Sequence, residues 1–87
     1  MFGFARMDEH AELVGAMADS LGVDLAEEML AGRMPPEEAR SMVLRCIGCA
    51  DVAECRHFLA DHVAAHDAAA APDYCRNKAL MDGLKAR

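Results

Sequence analysis

The chain has 87 residues and a formal charge of −6 at neutral pH, with three Phe, one Tyr and no Trp. Its length bounds it to a single domain, residues 1–87, near the lower limit for a self-sufficient core. The acidic balance, without a basic patch of interleaved aromatics, argues against nucleic acid as a partner, and no apolar run reaches the roughly 20 residues of a membrane span.

In chain order the pattern is helix after helix, with Gly and Pro as punctuation. The N-terminus, from Met1 to Arg6, is too short and too quickly charged for a secretory signal. A cytoplasmic location, where thiols stay reduced, is therefore expected. Phe2 and Phe4 precede the first helical stripe and either fold back on the core or form a docking tip. Met7, Ala11, Val14, Met17, Ala18 and Leu21 form that stripe, and Gly22 stops it. Asp24 can cap a short second helix carrying Leu25, Ala26, Met29 and Leu30, closed by Gly32. Pro35, Pro36, Glu37 and Glu38 suit the first turn of a third helix. Its inward stripe is Ala39, Met42, Val43, Cys46 and Ile47, and Gly48 ends it.

Asp51 with Glu54 resembles a capping box opening a fourth helix that runs to about His66. The Ala-rich segment 67–71 extends that helix or frays. Pro72 and Asp73 restart the chain, and a last helix is expected from Tyr74 to about Lys85. No stretch alternates as a strand does, so the expected class is all-α: a small bundle of four to five short helices.

Cys46, Cys49, Cys55 and Cys75 carry the chemistry. The first three are spaced Cys-x2-Cys-x5-Cys, and the fourth follows after nineteen intervening residues. Four thiols match one tetrahedral thiolate site or one cubane cluster. In a reducing compartment, metal ligation is favoured over two structural disulfides. The helix pattern places Cys46 in the last turn of helix three, Cys49 in the turn after it, Cys55 early in helix four and Cys75 in the first turn of helix five. The latter two would gain from the positive end of the helix dipole. Arg45, Arg56 and Arg76 each adjoin a cysteine. They are expected to offset the charge of about −2 on a four-thiolate site and to lower the thiol pKa values. Tyr74 is expected to cover the site, and Asn77 to cap or bond its backbone.

Zinc sites usually pair two Cys-x2-Cys knuckles, whereas this chain has one knuckle and two single cysteines. The spacing of the trio resembles the last three ligands of the cluster loop in helical DNA glycosylases of the endonuclease III type. There the fourth cysteine comes before the trio, so only the plausibility of the spacing carries over. A 4Fe–4S cluster is the leading expectation, zinc the alternative, and free or redox-active thiols a third reading. A zinc site could recruit His57 for one cysteine. His62 and His66 share a helical face at i, i+4, which can bind metal but also suits a helix C-terminus.

Three segments together resemble a family of short bacterial proteins known as a domain of unknown function: Gly22 to Leu25, Arg45 to Cys49 with Cys55, and Pro72 to Asn77. The resemblance covers most of the chain and implies one compact cysteine-bearing domain without an assigned activity. No catalytic triad, phosphate-cradling Gly loop or paired carboxylates stand out, which argues against a stand-alone enzyme. Two functions remain: a small iron–sulfur protein of electron transfer or redox and iron sensing, or a zinc-stapled helical module that binds a protein partner.

Overall fold

The computed structural model describes residues 2–86, with side chains from Arg6 onward. The side chains of Phe2 and Phe4, with any fold-back or docking role, lie outside the described residues. Their backbone belongs to the first helix, which starts earlier than its apolar stripe suggests. Five helices follow in order: α1 (Phe2–Ser20), α2 (Leu25–Leu30), α3 (Pro36–Ile47), α4 (Val52–His62) and α5 (Lys78–Lys85). The described residues contain no strand, and no helix is long and apolar enough to cross a membrane.

Helix α1 is the spine, packed against α3 and α4. Its buried stripe is Leu13, Val14, Met17, Ala18 and Leu21, with His10 buried one turn earlier. Ala11, expected inside, is exposed. Gly22 takes a φ of 75°, which an L side chain resists, and lets Val23 N–H return to the Ala18 carbonyl at 2.8 Å. Asp24 Oδ1 accepts from Glu27 N–H at 3.1 Å and starts α2 as expected. Leu25 and Met29 pack on the core, whereas Leu30 is left exposed. Pro36 opens α3 with Glu37 and Glu38 in its first turn. Met42 is fully buried at the centre of that helix.

The largest departure from the sequence pattern lies between α4 and α5. Helix α4 ends at His62 rather than near His66. His66 adopts a φ of 52°, and the chain turns to cover the C-terminal end of α1. The last four carbonyls of a helix lack intrahelical partners. Here His66 Nδ1 donates to the Asp19 carbonyl at 2.7 Å, Ala68 N–H to that of Ser20 at 2.9 Å, and Lys85 Nζ to that of Leu21 at 3.2 Å. Ala68 and Ala71 are buried by this docking. Small side chains in segment 67–71 thus let backbone approach backbone; they neither extend α4 nor fray.

Segment 71–78 is tied to α5. Asp82 accepts from Ala71 N–H at 2.8 Å and from Lys78 Nζ at 3.1 Å, while Lys78 Nζ also donates to the Ala71 carbonyl at 2.6 Å. Burial alone would raise the Asp82 pKa, but the Ala71 and Lys78 hydrogen bonds and the Lys78 and Lys85 charges outweigh it and hold it below 3.8. A carboxylate with a depressed folded-state pKa contributes stability above its unfolded value and loses it as pH falls through the folded one. Acid titration of stability should therefore show a loss beginning near pH 4. The Asp82→Asn variant should be less stable than wild type at pH 7, with the gap closing in acid. A constant gap would mean that Asp82 acts without its charge.

Candidate metal centre

The four cysteines reach one cavity from three segments. Cys46 sits in the last turn of α3, where an inward position next to Met42 and Val43 is dictated by helical period. Cys49 lies in the turn beyond Gly48, where Asp51 N–H approaches its sulfur at 3.5 Å. Cys55 is the fourth residue of α4 and is buried. Asp51 caps that helix by accepting from Glu54 N–H at 3.4 Å.

Cys75 corrects the sequence reading. Helix α5 begins at Lys78, so Cys75 belongs to a turn ahead of it, held by its N–H to the Pro72 carbonyl at 3.0 Å. The turn follows from Pro72 and from Asn77, whose side chain is used elsewhere. Asn77 is buried; its Nδ2 donates to the Met42 carbonyl at 2.9 Å, and its Oδ1 accepts from Arg45 Nε at 2.8 Å. Asn77 thus bolts the Cys75 turn to α3.

All four cysteines line one cavity of about 20 Å³, walled on its apolar side by Leu13, Val14, Met17 and Met81. That space suits roughly one water molecule. None of the cysteines is in a disulfide. Among the described residues, no three His, Cys, Asp or Glu side chains form a group that can hold a single metal ion as they stand. The thiols therefore share a wall without converging on a point.

The flanking residues divide. Tyr74, Arg76 and Asn77 line the cavity. Arg45 reaches it only through Asn77 and also pairs with Glu38 at 3.2 Å. Arg56 turns to the surface and pairs with Glu9 at 2.6 Å. Adjacent helical residues point about 100° apart, so sequence adjacency to a cysteine does not make a guanidinium its neighbour.

The expected lowering of thiol pKa values is accordingly reversed. Burial, then repulsion from Cys55, Cys49 and Cys75, pushes Cys46 up to about 11. Burial and the Cys75 and Cys49 charges likewise push Cys55 to about 11, against a smaller opposing pull from Arg56. Burial raises Cys75 as well, partly offset by the Asn77 backbone N–H. Tyr74 is raised to about 12 by burial and by the negative groups Cys55, Asp51, Glu54 and Cys49. In the metal-free protein Cys46 and Cys55 are thus neutral thiols at pH 7. Their raised folded-state pKa values add stability below pH 9 that is lost as pH rises through about 11. Ultraviolet titration of metal-free protein should show at least two thiolates appearing only near pH 11. Four thiolates complete by pH 9 would contradict the burial argument.

His57 is exposed and does not line the cavity. His62 and His66 do not form a metal pair as placed: His62 Nδ1 lies 2.7 Å from Asp67 Oδ1, and His66 serves the Asp19 carbonyl. The histidine at the site is His10, whose Nδ1 lies 3.3 Å from Cys46 Sγ. Sequence reading missed it because it counts as polar, although it stands three and four residues ahead of Leu13 and Val14 on the same stripe.

No curated protein and no solved structure matches the chain. The chain belongs to DUF6455, a family of unknown function, which it matches over residues 1–87.

Proposed function

We propose that this DUF6455 member is a small iron–sulfur protein in which Cys46, Cys49, Cys55 and Cys75 hold a 4Fe–4S cluster for electron transfer or for redox or iron sensing. The observation that carries the reading is the shared cavity: four thiols outside any disulfide, from α3 and the turn that follows it, from α4 and from the turn before α5, face one largely apolar space. The donor set fits a cubane, which takes one thiolate per iron. A single zinc would need its four thiolates drawn to about 3.8 Å from one another, the edge of a tetrahedron with 2.3 Å Zn–S bonds. A cubane core exceeds a one-water cavity, so loading must open the site.

When bound, such a cluster exchanges single electrons at a potential set by its surroundings. The chain supplies an apolar wall that excludes water and the Asn77 clamp that fixes the Cys75 turn. Arg76 lines the same cavity. Reductive titration of anaerobically purified protein, followed by paramagnetic resonance, tests the function. A reversible one-electron couple with the helical circular dichroism unchanged is expected. Irreversible loss of metal together with the fold would instead favour a structural staple that presents a surface to a protein partner.

A further inference from the structure

The fold spends a buried position on an imidazole. His10 is 6 % exposed and occupies the first turn of the α1 core stripe, where an apolar side chain would be cheaper to bury. Among the described residues, its ring makes one hydrogen bond, between Nδ1 and Cys46 Sγ, across 36 positions of sequence. Of the other buried polar side chains, Ser20 bonds the Met17 carbonyl of its own helix, and Asn77 bonds the Met42 carbonyl and the Arg45 guanidinium. Among the described buried polar side chains, His10 is the one whose hydrogen bond goes to a cysteine sulfur.

From this geometry we infer that His10 is a positioning residue for the cluster: its Nδ1–H donates to the Cys46 sulfur, fixes that ligand and raises the reduction potential. The inference rests on the cluster reading above. A cysteine sulfur bound to iron has no proton to give, so the shared hydrogen must come from Nδ1, which leaves Nε2 as the acceptor nitrogen. A reduced cluster carries more negative charge on its sulfurs than an oxidised one. An N–H dipole aimed at that sulfur therefore favours the reduced state, and hydrogen bonds to sulfur are a recognised determinant of cluster potential. The bond also ties α1 to the end of α3, so the helix that organises the core senses the site directly.

Three substitutions in the anaerobically purified, cluster-loaded full chain separate donor from filler. His10→Leu keeps an apolar volume and removes the donor. His10→Asn keeps an N–H donor at the same number of bonds from Cβ as Nδ1. His10→Gln moves the donor one bond further out. The readouts are iron and sulfide content and the midpoint potential by dye-mediated titration. His10→Leu should lower the potential so that the oxidised-to-reduced ratio at fixed potential rises roughly tenfold, about 59 mV for one electron. His10→Asn should stay close to wild type, and His10→Gln should fall between. Should His10→Leu lose the cluster, retention of cluster and potential by His10→Asn supports the same donor role. Overturning results are an unchanged potential in a loaded His10→Leu protein, or His10→Asn behaving like His10→Leu. Absence of iron and sulfide from wild type would defeat the cluster reading itself, whereas a normal cluster indifferent to His10 defeats this inference alone.

Discussion

Replacing Cys55 with serine should bleach the protein. Cys55 is the most buried of the four thiols, 8 % exposed, and shares the cavity with Cys46, Cys49 and Cys75. A serine hydroxyl there does not ionise near neutral pH and is a hard donor, whereas iron–sulfur clusters are held by soft thiolates. Iron and sulfide should fall from about four of each per chain toward zero, with loss of the visible absorption. Cys75→Ser should do the same although Cys75 lies twenty residues beyond Cys55, because both face one space. Leu44→Ser, on an exposed surface of α3, should leave the metal content untouched. Metal content that survives both cysteine substitutions would show that the four thiols do not act as one set.

The second large effect is expected at Asn77. Its amide donates to the Met42 carbonyl and accepts from Arg45, joining the Cys75 turn to the middle of α3. Asn77→Leu preserves the approximate volume and removes both hydrogen bonds. Leaving a buried polar group without its partner costs about 1–3 kcal/mol, and breaking the bond from a charged donor adds about 1 kcal/mol more. A loss of about 3 kcal/mol is expected in urea unfolding of the metal-free protein, with the dependence on denaturant unchanged. That is a large fraction of the stability available to a small domain. Arg45→Ala breaks only one of the two bonds and should cost less, about 1–2 kcal/mol, because it leaves the buried Asn77 Oδ1 without that donor while the half-exposed Glu38 pair adds little. Equal costs for the two variants would place the clamp in the Arg45–Asn77 bond rather than in the Met42 carbonyl.

How far the sequence specified this arrangement varies with the range of the interactions. The caps of α2 and α3 were legible because Asp24, Pro36, Gly32 and Gly48 act on their own neighbours, and local chemistry decides the outcome. The end of α4 was not legible. Nothing near His66 forces a left-handed turn; the carbonyls of Asp19, Ser20 and Leu21, far off in sequence, reward it. The start of α5 failed for the same reason, since Asn77 spends its side chain on α3 instead of capping its own helix.

At the site, the cysteines were legible as residue types, and Cys46 also by its inward helical position. Arg45 and Arg56 were misjudged because adjacency in sequence stood in for adjacency in space, whereas Arg76 does line the cavity. Arg56 pairs with Glu9, and burial raises the Cys46 and Cys55 pKa values that the flanking charges were expected to lower. His10 was invisible for the opposite reason. Its partner is 36 residues away, and only packing α1 against α3 brings the two together.

Metal ligation at this site would displace the protons of its thiols. Displacing protons from thiols with pKa values near 11 takes a ligand that binds thiolate strongly, and metal binding releases those protons. The most direct measurement is an absorption spectrum with iron, sulfide and zinc analysis on wild-type protein purified without oxygen. A broad band near 400 nm with about four irons and four sulfides per chain is the predicted result. One tightly bound zinc and no visible band would contradict it.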